Sequence, residues 1–185
     1  MKKIAGFLLK LFGWKVKGTI PVQIKKMVLI EAPHTSNWDY LWGMLSAMSI
    51  GRRVTVIIKK ELFFWPLGVL LRALGGVPID RKGSSNKVDA IAKLFKESDE
   101  LILSITPEGT RSKAAEWKKG FYYIAMKANV PVLLTSLDYK KKEGVFGELI
   151  YLTGDYNKDF EKIYEFYKDV TPKYPEKFSI KKPGK

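Results

Sequence analysis

Short apolar runs alternate with stretches of helical spacing along this chain, and that alternation is what most limits its fold. Lys25–Ala32, Arg53–Lys59, Leu101–Ile105 and Val130–Leu137 each read as a strand, with Leu149–Leu152 as a shorter one. Between them, Trp38–Ile50 has helical apolar spacing and stops at Gly51. Ser85 or Asn86 can cap a helix running to Phe95, Trp117–Ala128 reads as a helix, and Phe160–Tyr167 as a late amphipathic one. Strands alternating with helices predict an α/β fold: a mixed, mostly parallel central sheet flanked by helices. Leu62–Leu74 is apolar around Pro66 and Gly68 and too short to cross a bilayer. It reads as a core helix or as an apolar wall for a lipid chain. The chain has 185 residues and no internal repeat, which fits one domain with small appendages.

Ligands of such sheets collect at loops beyond the carboxyl ends of strands. Two loops occupy that position here: Pro33–Asp39 and Thr106–Ser112. The first holds His34, the chain's one histidine. An imidazole titrates near neutrality, so it can accept and return a proton under physiological conditions. Five residues along a helix turn the direction by roughly 140°. His34 and Asp39 therefore meet only if His34 lies in the loop and Asp39 in the first turn of the following helix. From there the carboxylate can accept a hydrogen bond from one ring nitrogen and leave the other free as a base. Backbone N–H groups of that first turn could help bind an anion. The plainer alternative is a packing histidine and an aspartate that serves helix-start electrostatics.

In the second loop, Arg111 can hold a phosphate bidentately, which lysine cannot do. Gly109 lets the backbone turn closely against a ligand. Glu108 is placed to orient the arginine or to contact an acceptor hydroxyl. A solvated turn with an ordinary ion pair is the alternative. Asp80 and Arg81 end another apolar segment and offer a second phosphate contact or a structural ion pair.

Composition narrows the chemistry. With no cysteine, disulfides, thiolate metal sites and cysteine nucleophiles are excluded, and a single histidine excludes multi-histidine metal sites. No metal is expected. The net charge of +14 attracts polyanions. Residues 1–30 carry seven lysines and no acid, interleaved with Ile4, Phe7, Leu8, Leu11 and Phe12 at the spacing of an amphipathic helix. A basic amphipathic helix reads as an interfacial anchor on an anionic membrane surface, or else packs its stripe on its own domain. The stretch is too short to span a bilayer and has no small-residue cleavage site. The expectation is a cytoplasmic protein, peripheral on the inner face of the cell membrane. Residues 1–20 would be the membrane-contacting segment, 21–175 the catalytic domain and 176–185 a loose basic tail. A nucleic-acid-binding module is the rival reading. It would gather basic and aromatic residues on one platform. Here the positive excess is strongest beside an apolar helical stripe, so no nucleic acid is expected.

Together these residues carry a resemblance. His34-Thr35-Ser36-Asn37-Trp38-Asp39 fits the H-x4-D motif of the glycerolipid acyltransferases of the lysophosphatidic acid acyltransferase type, and Pro107-Glu108-Gly109-Thr110-Arg111-Ser112 fits their P-E-G-T-R-S motif without a gap. Gly76-Val77-Pro78-Ile79-Asp80-Arg81 looks like the intervening substrate motif, and Val130-Pro131-Val132 like the last. The four blocks fall in family order over residues 33–132. The resemblance implies a glycerol-3-phosphate acyltransferase-like fold. It implies acyl transfer from acyl-CoA or acyl carrier protein to a lipid hydroxyl, typically that of 1-acylglycerol-3-phosphate, giving phosphatidic acid. His34 would deprotonate the hydroxyl and Asp39 would orient His34. Glu108, Gly109, Thr110 and Arg111, with Asp80 and Arg81, would bind the acceptor's polar head. No cofactor is implied beyond the thioester co-substrate. Two departures bear on the acceptor. Pro33 stands where many members have asparagine, and Leu133-Leu134-Thr135 stands where a second proline usually follows. A lyso-aminolipid or another hydroxylated lipid is therefore an alternative acceptor.

Overall fold

The computed structural model describes residues 1–79 and 87–183. One sheet is built from β1 (Lys15–Lys17), β2 (Lys26–Glu31), β3 (Thr55–Lys59), β4 (Gly76–Ile79), β5 (Leu101–Ile105), β6 (Val132–Asp138) and β7 (Glu143–Ile150). Its order is β1-β7-β6-β2-β5-β3-β4. β6, β2, β5, β3 and β4 run parallel, while β7 returns antiparallel to β6 and pairs in parallel with β1. The helices are α1 (Lys2–Leu11), α2 (Asn37–Ser49), α3 (Leu67–Ala73), α4 (Lys87–Glu97), α5 (Gly120–Ala128) and α6 (Tyr156–Tyr167). This is the mixed, mostly parallel α/β sheet that the sequence predicts.

β2 and β6 are buried on both faces, as central strands covered by helices must be. Alternate residues divide between two cores. Val28, Ile30 and Leu103 meet Phe121 and Ile124 of α5 and Ile163 of α6. Met27, Leu29 and Ile102 meet Met44 and Ala47 of α2. A third cluster, Ala5, Leu9, Trp14, Trp42 and Leu45, seats α1 on α2.

Several elements depart from the sequence expectation, each for a local reason. β7 begins at Glu143, well before Leu149, because Gly144 and Gly147 interrupt its apolar pattern. Both glycines are there for space: a Cβ at Gly144 would lie 2.6 Å from Ser46 Oγ, and one at Gly147 2.2 Å from the Phe166 ring. β1 carries no apolar run and exists through its pairing with β7, reinforced by a Lys17–Glu143 ion pair at 2.8 Å. α6 starts earlier than Phe160, capped by Asp155, whose carboxylate accepts from the N–H groups of Asn157 and Lys158. α5 starts at Gly120, leaving Trp117 as a buried loop residue. Phe178 packs on Trp117 with ring centroids 6.5 Å apart, and Ser179 Oγ donates to the Ala114 carbonyl at 2.7 Å, so the start of the tail is docked rather than loose. The expected cap at Ser85 or Asn86 lies outside the described residues.

The two apolar segments also differ from expectation. On α1 the residues that face the domain are Ala5, Leu9 and half-buried Leu8, whereas Ile4, Phe7 and Leu11 stand in solvent and Phe12, though exposed, has its ring against Trp42. Leu62–Leu74 is not a core helix. Its only α-helix is Leu67–Ala73, and Leu62, Phe64, Trp65, Val69 and Leu70 are exposed. Among the described residues no helix is long and apolar enough to cross a membrane.

Candidate active site

β2 and β5 are parallel neighbours in register from Lys26↔Leu101 to Ile30↔Ile105, so the loops that leave them emerge side by side. The His34 N–H donates to Glu108 Oε1 at 2.9 Å and ties the two loops together. The first loop turns into α2 through a capping box. Ser36 Oγ accepts from the Trp38 N–H, and Asp39 reaches back to the Ser36 N–H.

Asp39 is buried, and its position is over-determined. Oδ2 accepts from the N–H groups of Thr35 and Ser36, both at 2.8 Å. Oδ1 accepts from the Tyr139 hydroxyl at 2.6 Å. Tyr139 comes from the β6–β7 turn and is held edge-on against Trp14, with ring centroids 5.1 Å apart. His34 Nδ1 lies 3.3 Å from Asp39 Oδ2, and the histidine side chain keeps 20% of its surface exposed. The carboxylate thus faces one ring nitrogen, and Nε2 is left for a partner from outside. Burial pushes the imidazole's proton affinity down, but Asp39, Glu31 and Glu108 push harder the other way. His34 therefore titrates above its ordinary 6.5.

Two further carboxyls surround this pair. Glu108 is buried, and burial holds its carboxyl above the usual carboxylate range despite the bond from His34 N–H. Its carboxylate is turned to the histidine backbone. Glu31, the last residue of β2, has Oε1 sealed from solvent with no hydrogen-bond partner. Burial pushes its pKa up to about 8. A Cβ at Gly43 would sit 2.7 Å from that oxygen, so glycine there leaves room for the carboxyl in this position. Gly43 is one helical turn past Asp39, which stacks the Glu31 carboxyl beneath it. Glu31, Ser46, Ser104, Thr135 and Ser136 line a cavity of about 20 Å³ between α2 and the sheet, room for about one water molecule.

The second loop is open where the first is closed. Gly109 has φ +64°, a left-handed conformation that favours glycine, and a Cβ there would come within 2.9 Å of Lys118 Nζ. Thr110 and Arg111 are exposed. Thr110 Oγ1 accepts from the Ser112 N–H at 3.2 Å, and Arg111 Nη1 donates to Asn37 Oδ1 at the start of α2. A strap then crosses the histidine loop: the Tyr174 N–H donates to Thr35 Oγ1 at 3.3 Å, and Lys173 Nζ stands 5.0 Å from the Trp38 ring.

His34, Asp39, Glu108, Gly109, Thr110 and Arg111 thus meet at one rim of the sheet. Asp80 and Arg81 lie outside the described residues. Sequence reasoning missed Tyr139, Glu31, Asn37 and Lys118. Tyr139 and Lys118 give no local signal. Glu31 does, as a carboxylate closing an otherwise apolar strand.

The arrangement offers a buffered base beside an exposed guanidinium and lysine, which suits proton removal from a hydroxyl on an anionic molecule. Human 1-acyl-sn-glycerol-3-phosphate acyltransferase beta is 32% identical over 105 residues, which is 53% of this chain but only 38% of that relative's length. The crystal structure of the 1-acyl-sn-glycerophosphate (LPA) acyltransferase PlsC from Thermotoga maritima matches with a TM-score of 0.62 at 23% identity. That match covers 89% of this chain and 73% of that one, a likeness of fold. The model of the acyltransferase family matches residues 14–136, which take in both loops and the tie between them. With two thirds of its length inside that match, the chain belongs to the acyltransferase family.

Proposed function

We propose that this protein moves a fatty acyl chain from acyl-CoA or acyl carrier protein to the free hydroxyl of 1-acylglycerol-3-phosphate, giving phosphatidic acid. The observation that carries this reading is the His34–Asp39 pair, at 3.3 Å, beside the exposed Arg111. The acceptor hydroxyl gives its proton to His34 Nε2 as its oxygen attacks the thioester carbonyl carbon. The tetrahedral oxyanion collapses, the carbon–sulfur bond breaks, and the leaving thiolate takes the proton back from the imidazolium. Products are the ester and a free thiol, with no acyl-enzyme. Asp39 stabilises the imidazolium while it exists. A well-placed base supplies on the order of 10² to 10⁴ in rate, so positioning of both substrates supplies much of the rest. Arg111, with its planar fork of donors, holds the acceptor phosphate.

Such an acceptor resides in a bilayer, and α1 supports a membrane partner. Ile4, Phe7, Leu11 and Phe12 are exposed, flanked by Lys2, Lys3 and Lys10. The site is expected at the inner face of the cell membrane, where both thioester donors are made available.

The test is to incubate purified protein with labelled acyl-CoA or acyl carrier protein and lysophosphatidic acid, alongside a panel of other lyso-lipids, with His34→Ala as control. Product from lysophosphatidic acid that vanishes in the variant is the expected result. Product from another lyso-lipid alone moves the acceptor. No histidine-dependent product from any pair overturns the reading.

A further inference from the structure

A second exposed apolar element lies on the far flank of α2 from α1. Leu62, Phe64, Trp65, Val69 and Leu70 are each between 44% and 83% exposed, Trp65 most of all. Their backbone geometry is built rather than loose. Pro66 precedes the helix, and Gly68 is buried where a Cβ would meet the Phe63 carbonyl at 2.6 Å. The side chains are thus held outward by a fixed turn. A soluble monomer rarely shows so many large apolar side chains in one short segment unless a surface covers them.

Topology gives the segment its relation to the active site. It leaves the carboxyl end of β3, a parallel neighbour of β5, so it stands on the same rim as the His34 and Arg111 loops. Tyr40 of α2 reaches the end of α3, its hydroxyl donating to the Leu74 carbonyl at 3.4 Å. On the other flank, α1 packs on α2, and Phe12 just after it meets Trp42, in turn stacked on exposed Trp38. The helix that carries Asp39 is therefore bracketed by two outward apolar surfaces. Charge fits a lipid partner on both. Lys59, Lys60 and Arg72 flank the second surface against one acid, Glu61. Tryptophan beside cations is the composition of a membrane–water interface.

We propose that residues 62–70 form a second bilayer-contacting element, so that the protein rests on an anionic membrane through two flanks with the active-site mouth between them. This rests on the reading of the chain as a lipid acyltransferase for its purpose, but not for its test. The chain has no cysteine, so one introduced thiol is unique. Trp65→Cys carrying an environment-sensitive fluorophore is titrated with vesicles of phosphatidylglycerol and phosphatidylcholine. Tyr151→Cys, at the opposite end of the sheet, is the control. The expected result is a blue shift at 65 and none at 151. In sedimentation, F64E/W65E raises the lipid concentration for half-binding about tenfold, and turnover of a soluble short-chain lysophosphatidic acid is unchanged. A label at 65 that stays in water with vesicles bound overturns the proposal. So does loss of soluble-substrate turnover in F64E/W65E with vesicle binding intact, which assigns the segment to a substrate chain. Absent turnover by the wild-type protein would sink the acyltransferase reading and leave the vesicle result standing.

Discussion

The two loops that make the site are built in opposite ways. The His34 loop is sealed: Thr35, Ser36 and Asp39 are buried, and Asp39 takes three donors besides facing the histidine. The Gly109–Arg111 loop is exposed and held by two side-chain bonds, one within itself and one to Asn37. The difference teaches where precision is needed. Redundant support suits the role proposed for His34, since a base must keep one geometry through every turnover. Light support suits the role proposed for Arg111, since a headgroup clamp must admit and release a charged ligand.

Substitutions sharpen that contrast. His34→Ala should lower kcat by about 10² to 10⁴, with thermal unfolding close to that of wild type; retained turnover would break the assignment of the base. Arg111→Ala should leave kcat nearly intact and raise the KM for a phosphate-bearing acceptor by about 10- to 100-fold. An unchanged KM would mean that the open loop holds something other than phosphate. Tyr139→Phe removes one of Asp39's donors and keeps the ring against Trp14. Turnover should fall about tenfold with KM unchanged. The titration of His34, read from its imidazole NMR resonance, should shift with it; a KM effect alone would show that the hydroxyl serves packing.

Acidity tests the sealed region from another side. Protonated His34 cannot act as a base, so the rate should fall as pH drops through a His34 pKa above 6.5. Glu31 is raised from 4.5 to about 8 in the folded protein. Its contribution to stability is full below 4.5 and is lost as pH rises through about 8. Wild type should therefore lose Tm as pH rises from 4.5 to about 8, by about 2–4 °C for each kcal/mol forfeited. Glu31→Gln should flatten that slope, and an unaltered slope would place the lost stability elsewhere.

The sequence showed the sheet because its central strands are buried on both sides and read as continuous apolar runs, as in Leu101–Ile105, whose bounds the fold keeps unchanged. Edge and interrupted strands were missed or seen only in part. β1 is three residues of Lys-Val-Lys that exist by pairing, and β7 is broken by glycines whose purpose is space for Ser46 and Phe166. The site was legible where chemistry is local, in the spacing from His34 to Asp39. It was illegible where support arrives from far along the chain, as with Tyr139, 100 residues from Asp39. The α1 stripe was legible as a pattern but not in its direction. Periodicity names a face without saying whether protein or solvent meets it, and here Ala5 and Leu9 took the domain side.

The strand that follows α1 has a mechanical consequence. Leu11 is separated from Lys15 by three residues, and Lys15–Lys17 is hydrogen-bonded into the sheet. Nothing between helix and sheet can act as a tether. Whatever surface grips α1 grips the whole body at a fixed tilt and height, so the reach of His34 is set by the architecture and not by the play of a linker.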